Sequence, residues 1–192
     1  MSLADIAYFR GMPNILVLIP ADGISAFGLL ELLLNHTGPA YMRTLRSDTA
    51  IIYGPDAVFE PGGSNRVAEG EEVILVAAGY MLHECLKVRS LLEKEGLKAG
   101  VIDAYSLPIQ KGILTEILAD RSRCVLVVED NFAGGIGSEA AEYSAERGGA
   151  RVKSMCLKRF PKSGRSASDT FAWLGISPKD IAREALELAR KK

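Results

Sequence analysis

The sequence is poor in cysteine and histidine. Its 192 residues include three cysteines and two histidines. Cys85, Cys124 and Cys156 form no C-x-x-C pair, and each lies in an apolar stretch, where a free cysteine acts as a small hydrophobic residue. We therefore expect neither a disulfide framework nor a zinc site, and we expect a reducing, cytoplasmic compartment.

An excess of one charge and long apolar runs are also missing. Lys and Arg total 23 against 24 for Asp and Glu, a net charge of −1. Binders of nucleic acids or anionic membranes usually need a basic excess, so neither partner is expected. The longest apolar candidate, residues 14–20, is far shorter than the ~20 residues of a membrane span. No signal-peptide pattern is present at the N-terminus.

What the sequence does contain is a regular alternation of apolar runs and helical patterns. We predict helices over 3–10, 26–34, 80–95, 111–119, 138–147 and from 177 onward, and strands over 14–19, 40–45, 65–68, 73–78, 99–102, 124–128 and 151–157. This order predicts an α/β fold, with a mostly parallel sheet between two helical layers. The helix over 26–34 is apolar on most sides and is predicted to be well buried. Residues 47–70 are rich in Gly and Pro and predict a linker.

A glycine-rich loop between a predicted strand and helix contains Gly135-x-Gly137-x-x-Ala140. The spacing resembles the dinucleotide fingerprint, in which glycines let the backbone approach a pyrophosphate. Three features weaken this interpretation. The unit is not the first βαβ of its domain, residues 129–133 separate the strand from the loop, and the next strand ends in Lys158-Arg159 without an acid. The favoured interpretation is a structural loop that packs the helix close to the sheet.

Two arginines, Arg43 and Arg46, flank the end of the second predicted strand. An arginine there can reach the ligand crevice of an α/β sheet and bind a phosphate, although the residues alone favour solvated surface arginines. Residues 158–165 hold four cations, which we interpret as a solvated loop. His83 is interpreted as a structural histidine, and the Glu129-Asp130 pair receives no role.

Several short motifs, taken together and in order, resemble the C-terminal portion of transketolases. They are DIAYFRGMPN (5–14), PADG (20–23), GPAYMRTLR (38–46), VIDAYSLP (101–108), VED (128–130) with GGIG (134–137), FPKSG (160–164) and LGI (174–176). Residues 1–60 resemble the end of the pyrimidine-binding domain, and residues 61–192 resemble the transketolase C-terminal domain.

The resemblance implies a fold and a reaction. The fold is a three-layer α/β/α domain with a five-stranded mixed sheet, preceded by a βαβ tail of a thiamine-diphosphate-binding domain. The reaction is transfer of a two-carbon ketol unit between phosphorylated sugars in the pentose phosphate pathway. Arg46 matches a family position that binds the sugar phosphate, whereas no catalytic, cofactor-binding or metal-binding residue is carried over. The Lys-Ser-Gly segment at 162–164 favours transketolase over its relatives.

The same resemblance implies that this chain depends on further polypeptide. The complete enzyme uses thiamine diphosphate and Mg²⁺, but the family's catalytic glutamate, its ring-stacking aromatic residue and its Gly-Asp-Gly…Asn motif belong to preceding segments. We expect this chain alone to bind neither and to be inactive. Its expected partners are a second copy or the missing N-terminal and pyrimidine-domain part. Alternatives are an assembly or dimerisation module, part of a deoxyxylulose-phosphate synthase or ketoacid dehydrogenase β chain, and an independent nucleotide binder.

Overall fold

The computed structural model describes residues 2–46, 48–162, 164 and 166–190. The helices are α1 Asp5–Arg10, α2 Gly23–Asn35, α3 Tyr80–Lys94, α4 Ile113–Ala119, α5 Ile136–Arg147, α6 Ala167–Leu174 and α7 Pro178–Arg190. The strands are β1 Leu16–Leu18, β2 Ala40–Met42, β3 Asn65–Ala68, β4 Val73–Ala77, β5 Ala99–Asp103, β6 Ser106–Leu107, β7 Cys124–Phe132 and β8 Arg151–Leu157. No helix in this described part of the chain has the length and apolar character that a membrane span needs.

The larger sheet has five strands in the order β3-β5-β4-β7-β8. Strands β5, β4, β7 and β8 are parallel, and β3 pairs antiparallel at one edge, so the predicted five-stranded mixed sheet is confirmed. Side chains alternate between its two faces. Leu75 and Leu126 pack with α3 and α7 on one face, whereas Val76 and Val127 pack with α4 and α5 on the other.

A smaller sheet has three strands in the order β2-β1-β6, with β1 and β2 parallel and β6 antiparallel to β1. The two faces of β1 pack against different helices. Val17 shares a core with Ile6 of α1, whereas Leu16 and Leu18 share a core with Leu29 of α2. The two helices therefore lie on opposite faces of this sheet.

Several sequence-based expectations need correction. The prediction that the 26–34 helix is well buried is wrong, because only Ser25 and Leu29 of α2 are buried, while Phe27 and Leu34 are 77% and 76% exposed. Strand β7 runs to Phe132 rather than ending at residue 128, so no five-residue gap precedes the glycine loop. Strand β6 and helix α6 were not predicted, because two or eight residues carry little periodic signal.

Candidate functional site

A pocket of about 500 Å³ opens at the carboxyl ends of β1 and β2. Ligands of open α/β sheets commonly bind outside the carboxyl ends of the strands. Two segments form its walls, the turn from β1 into α2 and the loop that follows β2. The lining residues are Pro20, Asp22, Gly23, Ala26, Thr44, Leu45, Asp48, Thr49 and Ile51. This crevice is the candidate site.

Asp22 joins the two walls of the pocket. Its Oδ1 caps α2 by accepting a hydrogen bond from the backbone N–H of Ser25 at 2.8 Å. Its Oδ2 accepts the backbone N–H groups of Ile52 and Tyr53 at 2.7 and 2.9 Å. Burial alone would raise the pKa of Asp22, but these hydrogen bonds outweigh it and lower the pKa. The ionised carboxylate therefore fixes the end of the loop to the start of the helix.

Arg43 lies at the start of the same loop and is buried in an ion-pair network. Its Nη1 donates to Asp130 Oδ1 at 2.8 Å, and its Nε lies 3.3 Å from Asp5 Oδ2. Asp5 also accepts hydrogen bonds from the Tyr41 hydroxyl and the Asn131 amide at 2.7 and 2.6 Å. Burial would lower the pKa of Arg43, but Asp130 and Asp5 raise it, so the guanidinium stays charged. Both predictions for Arg43, a crevice ligand and a surface arginine, are wrong, because acids from two distant segments enclose it.

Arg46 occupies a different position, although it is only three residues away. It is exposed within the Arg46 loop, which we define as residues 44–51; Ser47 lies outside the described residues. Its neighbours Leu45 and Asp48 line the pocket. Among the described residues, none forms a hydrogen bond or ion pair with the Arg46 guanidinium. Buried Arg43 and Asp22 hold the two ends of the loop, and this leaves Arg46 available to an anion from solvent.

The glycine loop proves to surround a carboxylate of the chain itself. Glu129 accepts the backbone N–H groups of Ile136 and Gly137 at the N-terminus of α5, each at 2.9 Å. Burial raises the pKa of Glu129 to about 7, although these hydrogen bonds act in the opposite direction. The position that a pyrophosphate takes in a dinucleotide fold is thus filled by Glu129. The nucleotide-binding alternative is not favoured, and the role of Glu129 was missed from sequence.

The glycines of this loop are required by close contacts rather than by a ligand. A Cβ atom on Gly135 would lie 2.3 Å from Glu129 Oε2, and one on Gly137 would lie 2.1 Å from Ser154 Oγ. We expect Gly137→Ala to lower the free energy of unfolding by about 2 kcal/mol through overpacking. Chemical denaturation measures this change. Gly54→Ala is the matched control, because its Cβ would meet no atom within 4 Å; an equal loss in both variants would contradict the explanation.

Another buried carboxyl, that of Asp103, ties residues after the Arg46 loop to the larger sheet. The Tyr53 hydroxyl donates to Asp103 Oδ2 at 2.6 Å, while Oδ1 has no hydrogen-bond partner among the described residues. Burial raises the pKa of Asp103 to about 8, against a model-peptide value near 3.9. Neither residue was identified from sequence, since the pairing depends on the chain folding back onto β5.

This carboxyl makes a testable contribution to pH-dependent stability. The folded chain holds the Asp103 proton more tightly than the unfolded chain, so the associated stabilisation is complete below about pH 4 and declines as pH rises toward 8. Asp103→Asn removes the titrating group and keeps an acceptor for Tyr53. We expect the unfolding free energy of the wild type, minus that of the variant, to fall by about a few kcal/mol between pH 4 and pH 8. Urea denaturation measures both free energies of unfolding. If they change with pH in parallel for the wild type and the variant, this assignment is contradicted.

The remaining candidates from the sequence are His83 and the basic segment 158–165, and both contact other parts of the chain. His83 Nε2 lies 2.8 Å from the Ala21 carbonyl oxygen, which confirms a structural histidine. The described residues of the basic segment 158–165 are exposed, as expected of a solvated loop. In addition, the cationic groups of Arg159 and Lys162 lie 4.6 and 4.1 Å from the centre of the Trp173 ring. Arg165 of that segment lies outside the described residues. Within the described part of the chain, no cluster of three or more His, Cys, Asp or Glu residues is arranged to hold a metal ion.

Comparison with known proteins places these features in a family context. The family described as Transketolase, C-terminal domain, matches residues 62–181. Human transketolase is 31% identical over 195 residues, covering 100% of this chain and 31% of the human protein. A putative transketolase C-terminal section from Methanocaldococcus jannaschii is 29% identical and covers 98% of this chain and 60% of its own length.

A solved transketolase structure also matches almost the whole of this chain. A split-gene transketolase, in the form of an inactive β4 tetramer, is 30% identical, with a TM-score of 0.86. The match covers 99% of this chain and 64% of that chain. The chain thus spans less than two thirds of the length of each of these relatives.

Proposed function

Because the chain belongs to the transketolase family, we propose that it is the C-terminal section of an enzyme that transfers a two-carbon ketol unit between phosphorylated sugars in the pentose phosphate pathway. The observation that carries the proposal is the pocket at the ends of β1 and β2, with an arginine of the family's phosphate-binding position on its loop. We assign residues 1–60 to the end of the pyrimidine-binding domain and residues 61–192 to the C-terminal domain.

In this proposal Arg46 binds the phosphate of the sugar. Its guanidinium fork matches a phosphate in shape and charge and stays protonated at any working pH. The exposure of Arg46 supports this role, as does the anchoring of its loop by Arg43 and Asp22. An anchored loop holds the arginine near its bound position, so less conformational freedom is lost when the phosphate binds.

The residues of this chain do not by themselves fit thiamine diphosphate and Mg²⁺. In the candidate pocket, the Asp22 carboxylate is already committed to hydrogen bonds with Ser25, Ile52 and Tyr53. The sequence lacks the family's Gly-Asp-Gly…Asn motif. We therefore assign cofactor binding, and the ketol chemistry that depends on it, to the polypeptide that carries the preceding domains of the family.

The small sheet supports the need for such a partner. Among the described residues, β2 pairs only with β1, so its outer edge is unpaired. An unpaired parallel edge favours addition of a further strand. The split-gene relative is found as an inactive β4 tetramer. We propose that this section likewise associates with itself when alone and joins a cofactor-binding polypeptide to become active, in the cytoplasm.

An assembly module is the second candidate, favoured by the exposed apolar face of α2.

A complementation assay tests the function. The chain is mixed with the separately produced polypeptide that carries the preceding domains, and ketol transfer between phosphorylated sugars is measured with thiamine diphosphate and Mg²⁺ present. We expect no turnover from either polypeptide alone and turnover from the mixture. A mixture that forms a complex but remains inactive would leave the assembly module as the better description.

A further inference from the structure

The carboxyl edge of the larger sheet holds a segment of the chain itself. Strands β5, β4 and β7 are parallel neighbours, so their carboxyl ends lie along one edge. Ligands of open α/β sheets usually bind outside this edge. Here each of the three strand ends lies against residues 43–53, the segment that contains the Arg46 loop. The segment thus takes the place that a ligand commonly has in such a fold.

Two carboxyl groups at this edge hold the two ends of the segment. Asp103 is the last residue of β5 and accepts a hydrogen bond from the Tyr53 hydroxyl at 2.6 Å, after the Arg46 loop. Asp130, near the end of β7, accepts one from Arg43 Nη1 at 2.8 Å, before the loop. Asp103 is fully buried and Arg43 is 4% exposed, so water competes little for either hydrogen bond. Both ends of the loop are thereby bonded to the larger sheet.

The backbone after β4 lies against the loop between these two points. Gly79 follows β4 by two residues, and a Cβ atom on it would lie 3.7 Å from Leu45 Cδ2. Leu45 is the residue before Arg46 and lines the candidate pocket. The sheet edge therefore supports the pocket wall directly beside the arginine.

Tyr53 is held at its backbone and its ring as well as at its hydroxyl. Its backbone N–H donates to Asp22 Oδ2 at 2.9 Å. Its ring packs edge-on against Phe59, with ring centres 4.9 Å apart. Replacing Tyr53 with phenylalanine keeps both of these contacts, so this change removes only the link to Asp103.

We propose that the part of the chain assigned to the C-terminal domain positions Arg46 for phosphate binding, with Asp103 and Asp130 as positioning residues. Asp130 acts through Arg43, and Asp103 acts through Tyr53. The inference rests on the proposed function, in which Arg46 binds the sugar phosphate, and it gives the C-terminal domain a task in substrate recognition. A binding group that is held near its bound geometry loses less freedom on binding, and a small displacement of such a group weakens binding strongly.

Tyr53→Phe in the complemented enzyme tests the proposal. We expect the KM for a phosphorylated sugar to rise by about 3- to 10-fold, the equivalent of about one hydrogen bond. Both kcat and the KM for an unphosphorylated sugar should stay unchanged, because only phosphate binding is affected. Asp130→Asn weakens the link at the other end of the loop and should raise the same KM. An unchanged KM for the phosphorylated sugar in both variants would overturn the proposal.

A double variant and a matched control separate positioning from a general loss of stability. If Tyr53 acts through Arg46, Tyr53→Phe should leave the KM of the Arg46→Ala variant unchanged. Ser144→Ala is the control, because its buried hydroxyl also donates at 2.6 Å, to the Ala150 carbonyl oxygen at the amino edge of the same sheet. It should lower stability in urea denaturation and leave KM unchanged. Multiplied effects in the double variant, or an equal rise of KM in the control, would overturn the proposal.

Amide hydrogen exchange on the chain alone tests the link without an activity measurement. The N–H groups of Ile52 and Tyr53 are hydrogen-bonded to Asp22 at the end of the loop. We expect both to exchange about 3- to 10-fold faster in Tyr53→Phe and at the wild-type rate in Ser144→Ala. Unchanged exchange in Tyr53→Phe would overturn the proposal. Faster exchange, together with an inactive wild-type mixture in the complementation assay, would support the link to the sheet and refute the proposed function.

Discussion

Arg46→Ala should raise the KM of the complemented enzyme for a phosphorylated sugar by about 10- to 100-fold. A hydrogen bond to a charged group contributes about 1.5–3 kcal/mol, and 1.4 kcal/mol corresponds to a factor of ten. The effect should fall mainly on KM, because the phosphate is remote from the carbon atoms that are transferred. Steady-state kinetics with a phosphorylated and an unphosphorylated sugar measure the change.

The unphosphorylated sugar provides an internal control, since it lacks the group that Arg46 binds and its kinetic constants should not respond. Arg121→Ala is the matched control variant, because Arg121 is an exposed arginine in the turn between α4 and β7. An equal rise in KM for both sugars would contradict phosphate binding by Arg46. A KM for the phosphorylated sugar that is unchanged in the Arg46→Ala variant would contradict phosphate binding by Arg46 as well.

Arg43→Ala should destabilise the chain by about 3–5 kcal/mol, which corresponds to a loss on the order of 10 °C in Tm. The replacement leaves Asp5 and Asp130 without their shared cation in a site where Asp5 is only 7% exposed. Removing one partner of a buried ion pair costs more than the pair contributes, because the remaining charge stays desolvated. Urea denaturation and thermal scans both report this loss.

Arg183→Ala is the matched control for this prediction. Arg183 also pairs with an aspartate, Asp180, at 3.1 Å, but its side chain is 60% exposed. Exposed ion pairs contribute about 0–1 kcal/mol, so the control should unfold almost as the wild type does. Similar losses in the two arginine variants would show that burial of the Arg43 network does not determine its contribution.

The regular features of the fold are predictable from sequence because local patterns specify them. The apolar runs over 73–78 and 124–128 predicted strands, and the strands they form, β4 and β7, lie in the interior of the larger sheet. The last helix also begins where the sequence predicts it, because α7 starts at Pro178. Hydrogen bonds between Ser177 and Asp180 form a capping box at this start.

The chemistry around the site was less predictable, because it depends on groups that are distant in sequence. Arg43 meets Asp130 across 87 residues, and no local pattern distinguishes this buried arginine from exposed Arg46. Glu129 receives no role from the sequence, since its partners are backbone N–H groups of α5, which no residue pattern specifies. For α2, composition indicates an apolar contact but does not specify whether the same chain or another molecule supplies it.

Isothermal titration of thiamine diphosphate with Mg²⁺ tests the central claim most directly. The claim is that this section folds on its own but contributes only the phosphate-binding side of the active site. We predict no micromolar binding to the chain alone, and micromolar binding once the polypeptide that carries the preceding domains is added. Micromolar binding of thiamine diphosphate by the isolated chain would contradict the account.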